Sequence, residues 1–182
     1  MSDQRFEQIW APWRLGYVSG EEAKTGGGTK PAWLKLLRGG DPDCFLCCGV
    51  VDTRDDVNLV IERSEHAFVV LNRFPYTNGH LLVAPQIHKP RLIDLNEVEQ
   101  FDIQRLITKY IALLERLVKA EGFNVGLNLG RAAGAGVPGH LHWHIVPRWS
   151  GDTNFMPSLA GTRVIPQSLD ALWDLLREAI TS

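Results

Sequence analysis

The sequence predicts an α+β fold: an antiparallel sheet of about five strands, one long helix and a C-terminal helix. Two observations carry this. Short alternating or apolar runs separated by turn signals lie on either side of a single stretch with helical period. No segment repeats at a fixed spacing, so a solenoid or propeller is excluded. The chain has 182 residues, which fits one domain spanning 1–182.

Residues 1–18 are aromatic and turn-rich, through Ile9, Trp10, Trp13 and Tyr17. The polar segment 19–30 contains Gly26, Gly27 and Gly28 and is expected to be flexible. Trp33 to Leu37 could form a short helical turn before the Asp41-Pro42-Asp43 punctuation. Two strands are expected at Val57–Glu62 and Ala67–Asn72. Asn78-Gly79 marks a turn, and a third strand follows at His80–Ala84, ended by Pro85.

From Leu95 to Glu121 the period changes. Val98, Phe101, Leu106, Tyr110, Leu113, Leu114 and Leu117 fit the apolar stripe of a helix, with Gly122 as its stop. Phe123–Leu129 is the fourth strand, Gly130–Gly139 a glycine-rich loop, and His140–Val146 the fifth strand, closed by Pro147. Ser168 can cap the last helix, whose apolar positions are Leu169, Leu172, Trp173, Leu175 and Leu176.

Composition narrows the function classes. Hydrophobic residues make up 45% and charged residues 22%, as in an ordinary globular chain. A formal net charge of -2 offers no broad footprint for nucleic acid or an anionic membrane. The N-terminus lacks a secretion signal, and no apolar run approaches the ~20 residues needed to span a bilayer. Cys44, Cys47 and Cys48 are an odd, clustered set, poor for disulfides. A reducing cytoplasm is therefore expected.

Three of the six histidines fall in His140-Leu141-His142-Trp143-His144. On a strand these imidazoles would share one face at a spacing of ~6.5–7 Å, with Leu141, Trp143 and Ile145 turned to the core. Two chemistries suit such a face, a metal site or nucleophilic catalysis. The preceding glycines, Gly130, Gly134, Gly136 and Gly139, let backbone N–H groups approach an anion, which points to phosphoryl chemistry.

Residues 139–148, Gly-His-Leu-His-Trp-His-Ile-Val-Pro-Arg, resemble the signature of the histidine triad (HIT) superfamily. Val70 to Pro75 and Gly79 to Pro85 are similar to the same family's nucleotide-binding strands. Trp10-Ala-Pro-Trp13-Arg14 and the stretch from Trp149 through Asn154 resemble the branch containing bacterial diadenosine tetraphosphate phosphorylases.

The resemblance implies a HIT-like fold and a covalent nucleotidyl–histidine intermediate on His142. It implies that a backbone carbonyl holds the other ring nitrogen of His142, and that His144 contacts a phosphate or bridging oxygen. Asn72, His80 and Asn128 match positions near the nucleotide in relatives, and glycine-loop N–H groups at Gly134 and Gly136 would meet phosphate. His66 and Cys48 match nothing. The acceptor decides the reaction: inorganic phosphate gives a phosphorylase, water a hydrolase, a sugar phosphate a transferase. A hydrolase of dinucleoside polyphosphates or phosphoramidates, and a non-catalytic nucleotide-binding module, are the alternatives. The loop lacks the Gln, Ser or Thr donors of many relatives, which weakens the hydrolase analogy.

Cys44-Phe-Leu-Cys47 reads as metal-binding or redox-active in a cytosolic chain. The resemblance implies that His88 and His140 complete a Cys2His2 site, closed and hence structural, holding zinc. Arg148 could meet phosphate or sit in a surface ion pair, and the tryptophans could stack a base or pack the core. HIT relatives usually form homodimers or higher homo-oligomers.

Overall fold

A computed structural model describes residues 33–152 and 165–181. The aromatic N-terminal motif with Trp10 and Trp13, the 19–30 segment and Asn154 lie outside the described residues. Element order is α1 (Phe45–Val51), α2 (Asp55–Asn58), β1 (Val60–Arg63), β2 (Ala67–Leu71), β3 (Leu81–Pro85), α3 (Glu97–Val118), β4 (Gly122–Leu127), β5 (Trp143–Arg148) and α4 (Leu169–Thr181). Short 3-10 turns lie at Leu92–Asp94 and Arg131–Ala133.

The five strands form one antiparallel sheet in the order β1-β2-β3-β5-β4, so the α+β architecture is as the sequence predicts. Every residue of β2 and β3 is buried, as expected for two central strands under α3. The core joins both strands to Ile103, Leu106, Ile107, Tyr110 and Leu114 of α3 and to Leu172 and Leu176 of α4.

Several boundaries differ from the sequence expectation, each for a local reason. Residues 55–58 turn into α2, with Leu59 in the left-handed region at φ 58, so β1 starts three residues later than predicted. Arg63 then ties β1 to the end of α1 through the carbonyls of Gly49, Val50 and Asp52 and the Asp55 carboxylate. No helical turn forms at 33–37, and a helix at 45–51 that periodicity had not indicated carries the cysteines.

The α3 helix begins with Asn96, which accepts from the Glu99 N–H while Glu99 accepts from the Asn96 N–H, a reciprocal cap. Leu106, Tyr110, Leu113 and Leu114 of its expected stripe are buried, but the first turns depart from it. Val98 and Phe101 are exposed, and Glu99 and Asp102 take the inward positions. Glu99 binds Lys89, and Asp102 accepts from the Ser64 hydroxyl and the His66 N–H, so these buried carboxylates are polar anchors. The helix ends at Lys119 in the left-handed conformation, and Gly122 opens β4 instead of stopping the helix.

The fifth strand also starts later than predicted, at Trp143, leaving His140 and His142 ahead of it. Pairing with β3 stops at Val83↔Trp143. Beyond that point Pro85 has no N–H to give, and its carbonyl oxygen is taken by the His140 ring. The Leu141 N–H turns instead to the Lys89 carbonyl at 2.8 Å.

Candidate active site

The histidine segment hangs between two anchors, the sheet on its C-terminal side and the 88–89 loop on its N-terminal side. Leu141, Trp143 and Ile145 turn to the core as expected, and the three imidazoles between them meet different partners. His140 points toward the cysteines of α1, whereas His142 and His144 lie ring to ring with centroids 5.1 Å apart.

His140 is 1% exposed. Its Nε2 donates to the Pro85 carbonyl at 2.8 Å, which leaves the Nδ1 lone pair facing Cys44 Sγ at 3.4 Å and Cys47 Sγ at 3.5 Å. His88 Nδ1 lies 3.1 Å from Cys47 Sγ. The four ligand atoms of Cys44, Cys47, His88 and His140 all lie within 4.8 Å of one another. Two thiols and two imidazoles gathered so closely, with the His140 tautomer fixed by a carbonyl, match the donor set and outer-shell support of a closed tetrahedral centre. The cluster could hold a metal ion.

Hydrogen bonding from Cys44 and the neighbouring His140 pull the Cys47 thiol below its ordinary value against the cost of burial, while Cys44, bonded to the Cys47 sulfur and buried, is pushed up. Gly139 borders this cluster: a Cβ there would stand 2.9 Å from His88 Nε2, so any other residue would make the ring shift. Sequence reasoning had grouped Gly139 with the phosphate loop.

His142 is 6% exposed. Its Nδ1 donates to the His140 carbonyl at 2.8 Å, which puts the lone pair on Nε2. Burial, and then the neighbouring His140, lower its pKa below the ordinary imidazole value, and the carbonyl bond only partly offsets this. The ring is therefore held neutral and single-tautomer, the state a nitrogen nucleophile needs.

His144, half-buried on β5, stacks near-parallel to Tyr76 with centroids 6.0 Å apart and lies 2.9 Å from His80 through Nδ1. His80 is fully buried. Asn72, expected beside a nucleotide, has its amide nitrogen 3.3 Å from His80 Nδ1 and its oxygen on the Phe74 N–H. Asn128 directly follows β4. Extending the β4–β5 register by one step from Leu127↔Trp143 sets it opposite His142. Gly126, opposite His144, leaves open space where a side chain would stand.

Within the glycine loop, Gly134 adopts φ +84 and donates its N–H to the Arg131 carbonyl at 2.9 Å, so that donor closes the loop's own turn. Gly136 is exposed. Arg148 pairs with Asp152 and Asn124, the surface ion-pair role, and His66 lies beside Glu65. Trp149 bonds the Val118 carbonyl at the end of α3. Sequence reasoning missed Tyr76, whose ring meets both His80 and His144. It also missed Lys89, whose carbonyl holds Leu141. Neither carries a spacing signal.

The HIT domain profile matches residues 54–151, more than half of the chain. This chain belongs to the HIT domain family. It is 33% identical over 165 residues to the AP-4-A phosphorylase of Mycobacterium tuberculosis (strain H37Rv), a match covering 91% of this chain and 80% of that protein. Identity is 37% over 93 residues with the asymmetrical bis(5'-nucleosyl)-tetraphosphatase of Schizosaccharomyces pombe, covering 51% of this chain and 50% of that one. Among solved structures, a Zn-bound histidine triad family protein from Mycobacterium smegmatis superimposes with a TM-score of 0.56 at 28% identity, covering 68% of this chain and 84% of that one. Both named relatives are enzymes, and this chain is a HIT-family enzyme.

Proposed function

We propose that this enzyme transfers a nucleotidyl group from a dinucleoside polyphosphate to inorganic phosphate, splitting diadenosine tetraphosphate into ADP and ATP. The observation that carries the transfer chemistry is the bond from His142 Nδ1 to the His140 carbonyl, which directs the Nε2 lone pair outward from a neutral ring. The likeness to an AP-4-A phosphorylase over 91% of the chain supports the choice of substrate and acceptor.

In the first half-reaction His142 Nε2 forms a bond to an α-phosphorus, and the bond from that phosphorus to the bridging oxygen breaks. ATP departs and AMP remains on the imidazole. In the second, an oxygen of inorganic phosphate attacks the same phosphorus, the P–N bond breaks, and ADP leaves with His142 neutral again. His144, beside His142, donates to phosphate oxygens as charge builds on them. Asn128, just past β4, borders the nucleotide, and glycine-loop N–H groups, Gly136 among them, approach the phosphate chain.

For the Cys44–Cys47–His88–His140 cluster we infer zinc, supported by its two thiols and two imidazoles and by the Zn-bound family structure. With four protein ligands the ion would be structural, joining α1 to the residue whose carbonyl holds His142.

The S. pombe likeness favours a second reading, in which water replaces phosphate and AMP is released. Product analysis separates the two. Incubated with diadenosine tetraphosphate, the phosphorylase yields ADP and ATP only when phosphate is added. AMP and ATP formed equally with and without phosphate would establish the hydrolase, and no turnover in either condition would overturn both.

A further inference from the structure

His80 sits at 0% exposure, with a backbone donor on one ring nitrogen and the His144 ring on the other. The Tyr76 backbone N–H lies 3.1 Å from His80 Nδ1. The Asn72 amide nitrogen lies 3.3 Å from His80 Nδ1 and 3.4 Å from Nε2, so the backbone donor, not Asn72, selects the tautomer. A backbone N–H can only donate, so His80 Nδ1 accepts and the His80 proton resides on Nε2. That proton lies on the 2.9 Å line to His144 Nδ1. His144 Nδ1 therefore accepts as well, and its own proton stands on Nε2.

We propose that His80 is a positioning residue which, set by the Tyr76 N–H, fixes His144 as a neutral Nε2–H donor to the phosphate, and that His80 itself does not touch the nucleotide. The role of His144 toward phosphate rests on the nucleotidyl-transfer reading above.

The Tyr76 N–H on His80 Nδ1 disfavours the other protonation patterns. An Nδ1 proton on His144 would face the His80 Nε2 proton. Relieving that clash requires His80 to move its proton to Nδ1, where Tyr76 already donates. Among the described residues, the titratable groups facing His144 are His80, Tyr76 and His142, and across the sheet β3 and β4 set the uncharged Leu82 and Gly126 beside it. His144 thus works as a hydrogen-bond donor in its neutral form and not as an imidazolium acid. Donating without titrating suits an oxygen whose charge grows only in the transition state.

The test is the histidine tautomer pattern of the full chain labelled with 15N-histidine, read by long-range 1H–15N correlation without substrate. Both His80 and His144 are expected as neutral Nε2–H rings at neutral pH. An Nδ1–H or imidazolium signature for His144 would overturn the proposal. In His80→Leu, His144 is expected to show mixed tautomers, and kcat to fall about 100-fold, the scale of a displaced catalytic group, with KM changed less than about threefold.

His80→Gln offers a carbonyl to Tyr76 and an N–H to His144, and is expected to recover kcat to within about tenfold of wild type. A KM raised about tenfold or more with kcat intact would make His80 a nucleotide contact and refute the positioning role. If His80→Leu fails to fold, the wild-type spectrum and the Gln variant decide alone. An Nε2–H His144 in a chain that turns over no dinucleotide would count against nucleotidyl transfer and leave the tautomer chain standing.

Discussion

The two halves of the histidine segment use the same side chain in opposite ways. On the cluster side, His140 donates through Nε2 to Pro85 and turns an Nδ1 lone pair to sulfur. On the other side, His142 donates through Nδ1 to His140 and turns out its Nε2 lone pair. The nitrogen available for chemistry is chosen in each case by a backbone carbonyl on the opposite side of the ring. Residue identity supplies an imidazole, and the carbonyl beside it decides whether the imidazole can ligate or attack. The halves are also linked in series, because the carbonyl that orients His142 belongs to His140, a member of the Cys2His2 cluster.

His142→Asn should separate the halves most sharply. Turnover is expected to fall by on the order of 10^6-fold, the scale seen when a nucleophile is removed. Metal content, measured by elemental analysis, should match wild type. If turnover persists, His142 is not the attacking group.

Cys47→Ser strikes the other half. Bound metal should be lost and the melting temperature should drop, and a chelator should lower the wild-type value similarly while leaving the variant unmoved. Each kcal/mol lost corresponds to about 2–4 °C for a chain of this size. Equal metal in variant and wild type would remove Cys47 from the ligand set.

Gly139→Ala probes the join. The added Cβ would meet His88 Nε2 at 2.9 Å, so the ring must shift. A weaker metal affinity in a chelator titration is expected, with a destabilisation of about 1–3 kcal/mol, as for overpacking. Unchanged affinity would mean that His88 can move without loss.

The smallest expected effect is on acid stability. Burial tends to raise the Glu99 pKa, but Lys89 and the Asn96 N–H more than offset it, so the folded value lies below the ordinary 4.5. A carboxylate depressed on folding contributes stability above its unfolded value and loses it as pH falls through the folded one. Melting temperature should therefore decline below about pH 4.5 with a shallower slope in Glu99→Gln. Identical slopes would show that the Lys89–Glu99 pair does not anchor the loop holding Leu141.

Much of this was legible from residue order. The unbroken apolar runs at 67–71 and 81–85 matched buried central strands, and the periodic stretch after Leu95 matched the long helix. Its rotation was misjudged at the first turns because apolarity favoured Val98 and Phe101, whereas Glu99 and Asp102 face inward with partners drawn from distant loops. A buried carboxylate with its partner elsewhere in the chain leaves no periodic trace. The strand carrying the histidines was likewise shortened by an event 55 residues away in sequence, the capture of the Pro85 carbonyl.

The sequence by itself determined the fold class, the family and the residue types available for chemistry, since these follow from local periodicity and from a motif confined to a few consecutive positions. Only the tertiary structure decided which nitrogen of each imidazole carries the proton. Proton placement on an imidazole depends on the group opposite each nitrogen, and for His140, His80 and His144 that group comes from a different strand or loop, through Pro85, Tyr76 and His80 respectively. Such polarity is a property of folded neighbours, set by distance and donor direction.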